Sequence, residues 1–344
     1  IRNLDMRDLK IKLTSSKNAL NIESRTKCKS FGYQILGFGS GGGGAPSGPT
    51  QKGLFAFGDS GSKVNMSNLV SSSGVVASDT TGVGTARALL AGTTYGTDKG
   101  IMAYGYTSGP NSMSNLINNL GVVATDVTGV GTDCYDRAAA PYGGSAAGTA
   151  LFAFGEYSGG RFTDRNLISS VGVIASNISG AGTAFTRIEA CGYGLDKAIF
   201  AFGWSPGAYG DGTGISHLVS NTGVLGGDVA AVGTARFQAA ACSYGEDLGI
   251  FGYGSNTALG NNALTNKVSN SGVVASDTAG VGTGRQSPAA CSYGGDKGIF
   301  AYGYTGSNTN VSNLVNNVGV VASDTSGVGT ARHGPAAVGF SLTA

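Results

Sequence analysis

One short phrase returns six times along this chain, and that periodicity limits the available folds more than any local propensity does. GLFAFG at 53–58 recurs as GIMAYG (100–105), ALFAFG (150–155), AIFAFG (198–203), GIFGYG (249–254) and GIFAYG (298–303). The closing glycines, Gly58, Gly105, Gly155, Gly203, Gly254 and Gly303, are spaced 47, 50, 48, 51 and 49 residues apart. A second phrase, GVVASDTTGVGT at 74–85, recurs from Gly121, Gly172, Gly223, Gly272 and Gly319. From that glycine to the Gly-Thr pair is always ten residues, and from there to the next aromatic (Tyr95, Tyr142, Tyr193, Tyr244, Tyr293, Phe340) always eleven. Rigid spacing marks framework. The stretch between the two phrases varies from 16 to 20 residues, as a surface loop can, and one further insertion stands at 143–150.

Within each unit the apolar stretches are short, β-branched or aromatic, and bounded by Gly, Ser, Asn and Asp, which predicts strands. Four fit per unit. In the last unit they are strand A near 332–340, B near 298–304, C near 313–317 and D near 319–323. Six four-stranded units of about 49 residues predict an all-β, six-bladed β-propeller over 51–344. A spare strand A at the C-terminus, Arg332–Phe340, is placed to complete the first blade and remove the open edge at the seam.

The run GDKGIFAYGY (295–304), a variable loop, a strand, an Asp turn and then GTAR resembles the kelch repeat and the related galactose-oxidase-type propellers. The kelch double glycine is replaced here by Ala-Tyr-Gly-Tyr, and the kelch Trp is missing. The resemblance covers residues 51–344 and implies a kelch-like propeller. The Gly/Ser/Asn/Thr-rich, low-charge style is also similar to repeat propellers of bacteriophage virion and tail proteins, which implies a virion or extracellular location.

Composition narrows function. Of 344 residues 61 are Gly, and Lys+Arg (22) and Asp+Glu (20) together are scarce, which argues against a helical enzyme and a charged disordered tail. No apolar run approaches the ~20 residues of a bilayer span. Two histidines, His217 and His333, lie at unrelated repeat positions. A His-dependent triad, a zinc site or the copper site of galactose oxidase therefore has no ligands to use, and no catalytic residue, metal or cofactor is assigned.

Repeated polar positions read as structural. Asp79, Asp126, Asn177, Asp228, Asp277 and Asp324 share one position, expected to form local turns by accepting N–H bonds two residues on; calcium is the weaker alternative, because a lone Asp offers too few ligands. Arg87, Arg236, Arg285 and Arg332 share another, filled by Cys134 and Phe185 elsewhere, and are expected to bind carbonyls or the Asp turns. Cys191, Cys242 and Cys291 are equivalent, too far apart for disulfides, and are read as small buried residues.

The functional candidates are loop residues. WSPGAYGDGTGIS at 204–216 holds the only Trp, and B–C loops share a face with D–A loops in such blades. Trp204, Tyr209 and Asp211 are thus expected near Tyr106, Tyr157, Phe162 and Tyr304, an aromatic and polar surface suited to a host-surface glycan or protein. Residues 1–40 form a basic arm with alternating DLKIKLT (8–14), joined by a Gly/Pro linker at 41–50. Residues 1–50 hold eight Lys+Arg against three acids, leaving 14 against 17 elsewhere. The arm is expected to add a strand to other subunits of a larger assembly, with nucleic acid disfavoured by the lack of interleaved aromatics. The leading expectation is a non-enzymatic structural or recognition protein. The alternatives are a secreted carbohydrate-active enzyme or lectin-like glycan binder, for which Glu156, Asp164, Glu189, Asp211 and Glu246 are the acids unique to one unit, and a kelch-type adaptor.

Overall fold

The computed structural model describes residues 51–204 and 212–342; the basic arm and linker at 1–50, and Tyr209 and Asp211, lie outside the described residues. Within them the chain is all-β apart from one helical turn, Gly144–Ala147, in the insertion at 143–150. Each unit supplies one small antiparallel sheet in which strand B lies between A and C. For the second unit these are Ala91–Tyr95, Lys99–Ala103 and Ser114–Ile117, and for the sixth Ala289–Tyr293, Lys297–Tyr304 and Asn308–Val315. The first sheet takes its B and C strands, Lys52–Asp59 and Lys63–Val70, from the start of the repeats and its A strand, Ala336–Phe340, from the end. Lys52 pairs with Phe340 and Ala56 with Ala336 in that register.

Strand D departs from the sequence expectation. It is regular only in the fourth sheet, Leu225–Val229. In the other five it shrinks to two isolated bridges, such as Val70↔Val76 and Ser67↔Thr80. An asparagine at the centre of strand C takes the place of the missing ladder: Asn68 Nδ2 donates to Ala77 O at 3.0 Å and to Asp79 Oδ1 at 2.9 Å. Asn115, Asn166, Asn266 and Asn313 repeat both bonds. The fourth unit has His217 there, with Nδ1 3.4 Å from Gly226 O, and there strand D pairs with strand C through its own backbone.

Backbone hydrogen bonds run from each sheet to the next and return to their origin after six steps. At one end of the A strands, Leu89 N donates to Gly334 O, Asp136 to Leu89, Arg187 to Asp136, Gln238 to Arg187, Ser287 to Gln238 and Gly334 to Ser287. All six donors have φ between 49° and 58°. At the other end, Ser341, Gly96, Gly143, Gly194, Gly245 and Gly294 donate to Asp98, Gly148, Asp196, Asp247, Asp296 and Gln51. A third set joins each FAFG glycine to the next unit's entry segment, beginning with Gly58 N to Arg87 O at 2.9 Å and ending with Gly303 N to Arg332 O. The FAFG aromatic holds φ near 60° in all six units, so the strand turns sharply there and presents that glycine N–H sideways.

The hydrophobic cores lie between consecutive sheets. Leu54, Phe57, Met102, Ile117 and Phe340 fill the space between the first and second, and Phe55, Val70, Cys291, Tyr293 and Tyr302 that between the sixth and first. Full burial of each large side chain contributes about 1.5–3 kcal/mol. The rigid intervals of the sequence correspond to contacts. Each GVV glycine sits over the aromatic that ends the preceding A strand: a Cβ on Gly74 would lie 2.9 Å from Tyr293, and one on Gly172 2.8 Å from Tyr95. The four described cysteines are free and buried, and Cys191, Cys242 and Cys291 abut glycines of the next sheet, so that a Cβ on Gly53 would lie 2.6 Å from Cys291 Sγ.

Candidate binding face

The Asp positions do not form turns closed two residues on, as the sequence suggested; their donors are a threonine 41 or more residues away and, except at Asp228, the strand C asparagine 11 residues before. In the second unit Asp126 Oδ2 accepts from Thr85 N (2.9 Å) and Thr85 Oγ1 (2.7 Å), while Oδ1 accepts from Asn115. Thr85 belongs to the segment entering this sheet, so the carboxylate pins the entering chain to the sheet's outer edge. Arg87, two residues on, is fully buried; it donates to Tyr104 O, Thr85 O and Asn115 Oδ1 and stacks 4.4 Å from the Phe57 ring of the preceding sheet. Burial would raise Asp126, but the Thr85 and Asn115 bonds and the Arg87 charge outweigh it and hold the carboxyl below its usual range. Burial lowers Arg87 to about 10, against the opposing charge of Asp126.

This cluster recurs at the seam, where Thr330 binds Asp79, and Arg332 binds Asn68 and stacks on Tyr302 at 4.0 Å. Two units vary it. In the third, Cys134 stands where arginine would, and Arg137, three residues on, reaches the same targets: Asn166 Oδ1 at 2.8 Å and the Tyr104 ring at 4.3 Å. In the fourth, Phe185 replaces arginine and His217 replaces asparagine, and the two rings pack at 5.3 Å. Thr183 still binds Asp228. Asn177, the one amide among the Asp positions, donates instead, to Thr132 Oγ1 at 2.7 Å.

No protein-family model and no curated protein matches the chain.

The described members of the predicted loop aromatics pair off locally. Tyr304 packs on His333 at 5.6 Å, Tyr106 on Tyr135 at 5.3 Å, and Tyr157 on Phe162 at 5.7 Å. Trp204 bridges to Thr186 and carries two guanidinium groups over its ring, Arg161 at 3.9 Å and Arg187 at 5.5 Å. Arg161 comes from the 156–161 hairpin of the third unit, Trp204 from the fourth, so the pairing links neighbouring sheets. Arg187 leads inward from there, 3.4 Å from Asp136 Oδ2 and 5.6 Å from the Phe237 ring.

Asp136, Arg187, Gln238 and Ser287 line a narrow pocket of about 40 Å³ beside the ring of positive-φ residues, together with Arg137 and Glu189. Sequence reasoning missed this grouping, although Glu189 carries a signal. It pairs opposite Ala201, at the register position where the other five A strands have alanine. Burial pushes Asp136 up to about 6, reinforced by Glu156 and opposed by Arg187; burial, then Asp136, pushes Glu189 well above the usual range. Tyr135 is raised to about 12 by burial and by Glu156. Of the other acids unique to one unit, Asp164 receives the Asn177 amide, and Glu246 lines a wider cavity.

That cavity, about 780 Å³, is lined by the A strands of all six sheets. Several hydroxyls of its wall are held by neighbouring strands: Thr94 Oγ1 donates to Gly339 O, Ser243 Oγ to Gly192 O and Ser292 Oγ to Ser243 O. Among the described residues no helix is long and apolar enough to cross a membrane.

Proposed function

We propose that the six sheets are the blades of one closed, kelch-like six-bladed propeller and that the protein is a non-enzymatic recognition component of a virion or other extracellular assembly. Three cyclic sets of backbone hydrogen bonds and the strand pairing across the seam support the closed ring. The observation that carries the recognition reading is where the repeat breaks. Arg161 and Arg187 over Trp204, Glu156 beside Tyr135, and Asp136 with Glu189 are all in the third and fourth units, at the end of the sheets where the B–C loops lie. Repeated polar groups are absorbed by the framework; these irregular ones are not needed by it. A cationic and aromatic surface beside carboxylates suits a polar ligand with flat apolar faces, such as a host-surface glycan or protein loop. The virion setting rests on the resemblance in composition to phage tail propellers, and residues 1–50 would hold the chain in that assembly.

The test is binding of the full chain to intact bacterial cells and to a polysaccharide panel, with Trp204→Ala and Arg161→Ala alongside and a product assay on the same samples. Saturable binding lost in both variants, with no product released, is the expected result. Released oligosaccharide would replace this reading with the carbohydrate-active one.

A further inference from the structure

The opposite end of the sheets, where the A–B and C–D turns lie, carries a surface the recognition reading leaves unused. The first valine of every GVV phrase is solvent-exposed: Val75, Val122, Val173, Val224, Val273 and Val320 are each 55 to 64% exposed. The second apolar residue of the phrase is buried or half-buried against strand C, as in the Val70↔Val76 and Val315↔Val321 bridges. The outward valine is therefore not required by the core, yet all six units have it. Leu120 at 61%, Val171 at 73% and Val318 at 60% widen the apolar surface in three units. Each phrase leans over the aromatic ending the preceding A strand, so the valines are arranged around the A strands that line the 780 Å³ cavity.

We infer that this turn face is an interface between two copies of the chain. Two considerations favour a second copy. The nine side chains leave on the order of 800 Å² of apolar surface, what one partner contributes to a standard interface. In the closed ring proposed above, on which this point rests, six equivalent projections around one axis can be met by the same surface of a second copy, the self-complementarity that a two-fold contact requires. Three of the turns on this face carry a paired charge, Asp98 with Lys99 at 2.6 Å, Asp196 with Lys197 and Asp296 with Lys297 at 2.5 Å.

The experiment is the molar mass of the full chain in solution by light scattering across a wide concentration range. It is compared with a Val122→Asp/Val173→Asp variant and with Leu259→Asp, an exposed substitution in the 255–261 hairpin at the other end. Circular dichroism and melting temperature verify folding, and Val173→Ser serves if the double variant unfolds. The wild type and Leu259→Asp are expected at twice the chain mass, and the turn-face variant at half that value. A wild type that stays monomeric, or a dimer indifferent to the valine substitutions, would overturn the inference; the second result would place self-association in residues 1–50. Either failure leaves the recognition reading standing, since that is tested at the other end of the sheets.

Discussion

At the residue scale, one polar cluster repeats and one polar pocket does not, and their titrations have opposite signs. Asp79, Asp126, Asp228, Asp277 and Asp324 are all held below their usual range in the folded chain, despite burial that would raise them, chiefly by the Thr hydrogen bonds. A folded carboxyl with a depressed pKa stabilises above its unfolded value and loses that contribution as pH falls through the folded value. The chain is therefore expected to lose stability cooperatively below about pH 4, read by thermal melts across pH. Asp126→Asn should cost only about 1 kcal/mol in denaturant titration, since Asn177 fills the equivalent position and the carboxylate is partly solvated. Glu189 and Asp136 behave the other way. Their raised pKa values mean the folded state favours the protonated forms, so the pair penalises folding as pH rises above the unfolded values. Glu189→Ala, the residue of the other five units, is expected to raise the melting temperature at pH 8 and to have little effect at pH 4. An equal effect at both would show that desolvation is not the cause. Glu189 was readable in the sequence as an acid unique to one unit; its proximity to Asp136 was not, because the two come from different sheets, 53 residues apart in the chain.

At the level of the element, strand boundaries followed the apolar runs, and the errors have physical causes. Strand D reads as a strand because GVVAS is β-prone, yet its ladder is carried by an asparagine side chain one strand away, which no local pattern reveals. Arg137 was invisible for a similar reason: the repeat aligns Cys134 with arginine, and only the geometry shows a guanidinium arriving from three residues later. Arg137→Ala is expected to destabilise by about 3 kcal/mol in denaturant titration, because Asn166 Oδ1 and the carbonyls of Phe152 and Asp164 lose a buried charged donor. Packing between elements is tight where small residues meet. Gly53→Ala places a methyl against Cys291 Sγ and should cost about 1–3 kcal/mol, with Cys291→Ala recovering part of the loss in a double-mutant cycle.

Across the whole molecule, the rigid intervals in the sequence correspond to contacts that seat each unit on its neighbour and fasten each entering segment to its own sheet. The aromatic ending each A strand is covered by the glycine of the next unit's GVV phrase, and the entering Thr and Arg bind the Asp and Asn of the sheet they enter. The architecture was legible because a repeating interface forces a repeating spacing. The proposed recognition surface was less legible, since Glu156, Arg161 and Trp204 belong to the parts where the spacing is free, and Asp136, Arg187 and Glu189 are single departures inside a fixed interval. The proposed ring closure would make the seam equivalent to every other junction, although Ala336–Phe340 lies some 280 residues from its partner strand. Its most direct test is hydrogen–deuterium exchange of the intact chain, comparing amides of 336–340 with those of the internal A strand 289–293. Equal protection in the two segments is predicted, because both are paired on strand B and locked to neighbouring sheets. Fast exchange confined to 336–340, with 52–56 following it, would show an open seam and contradict the closed ring.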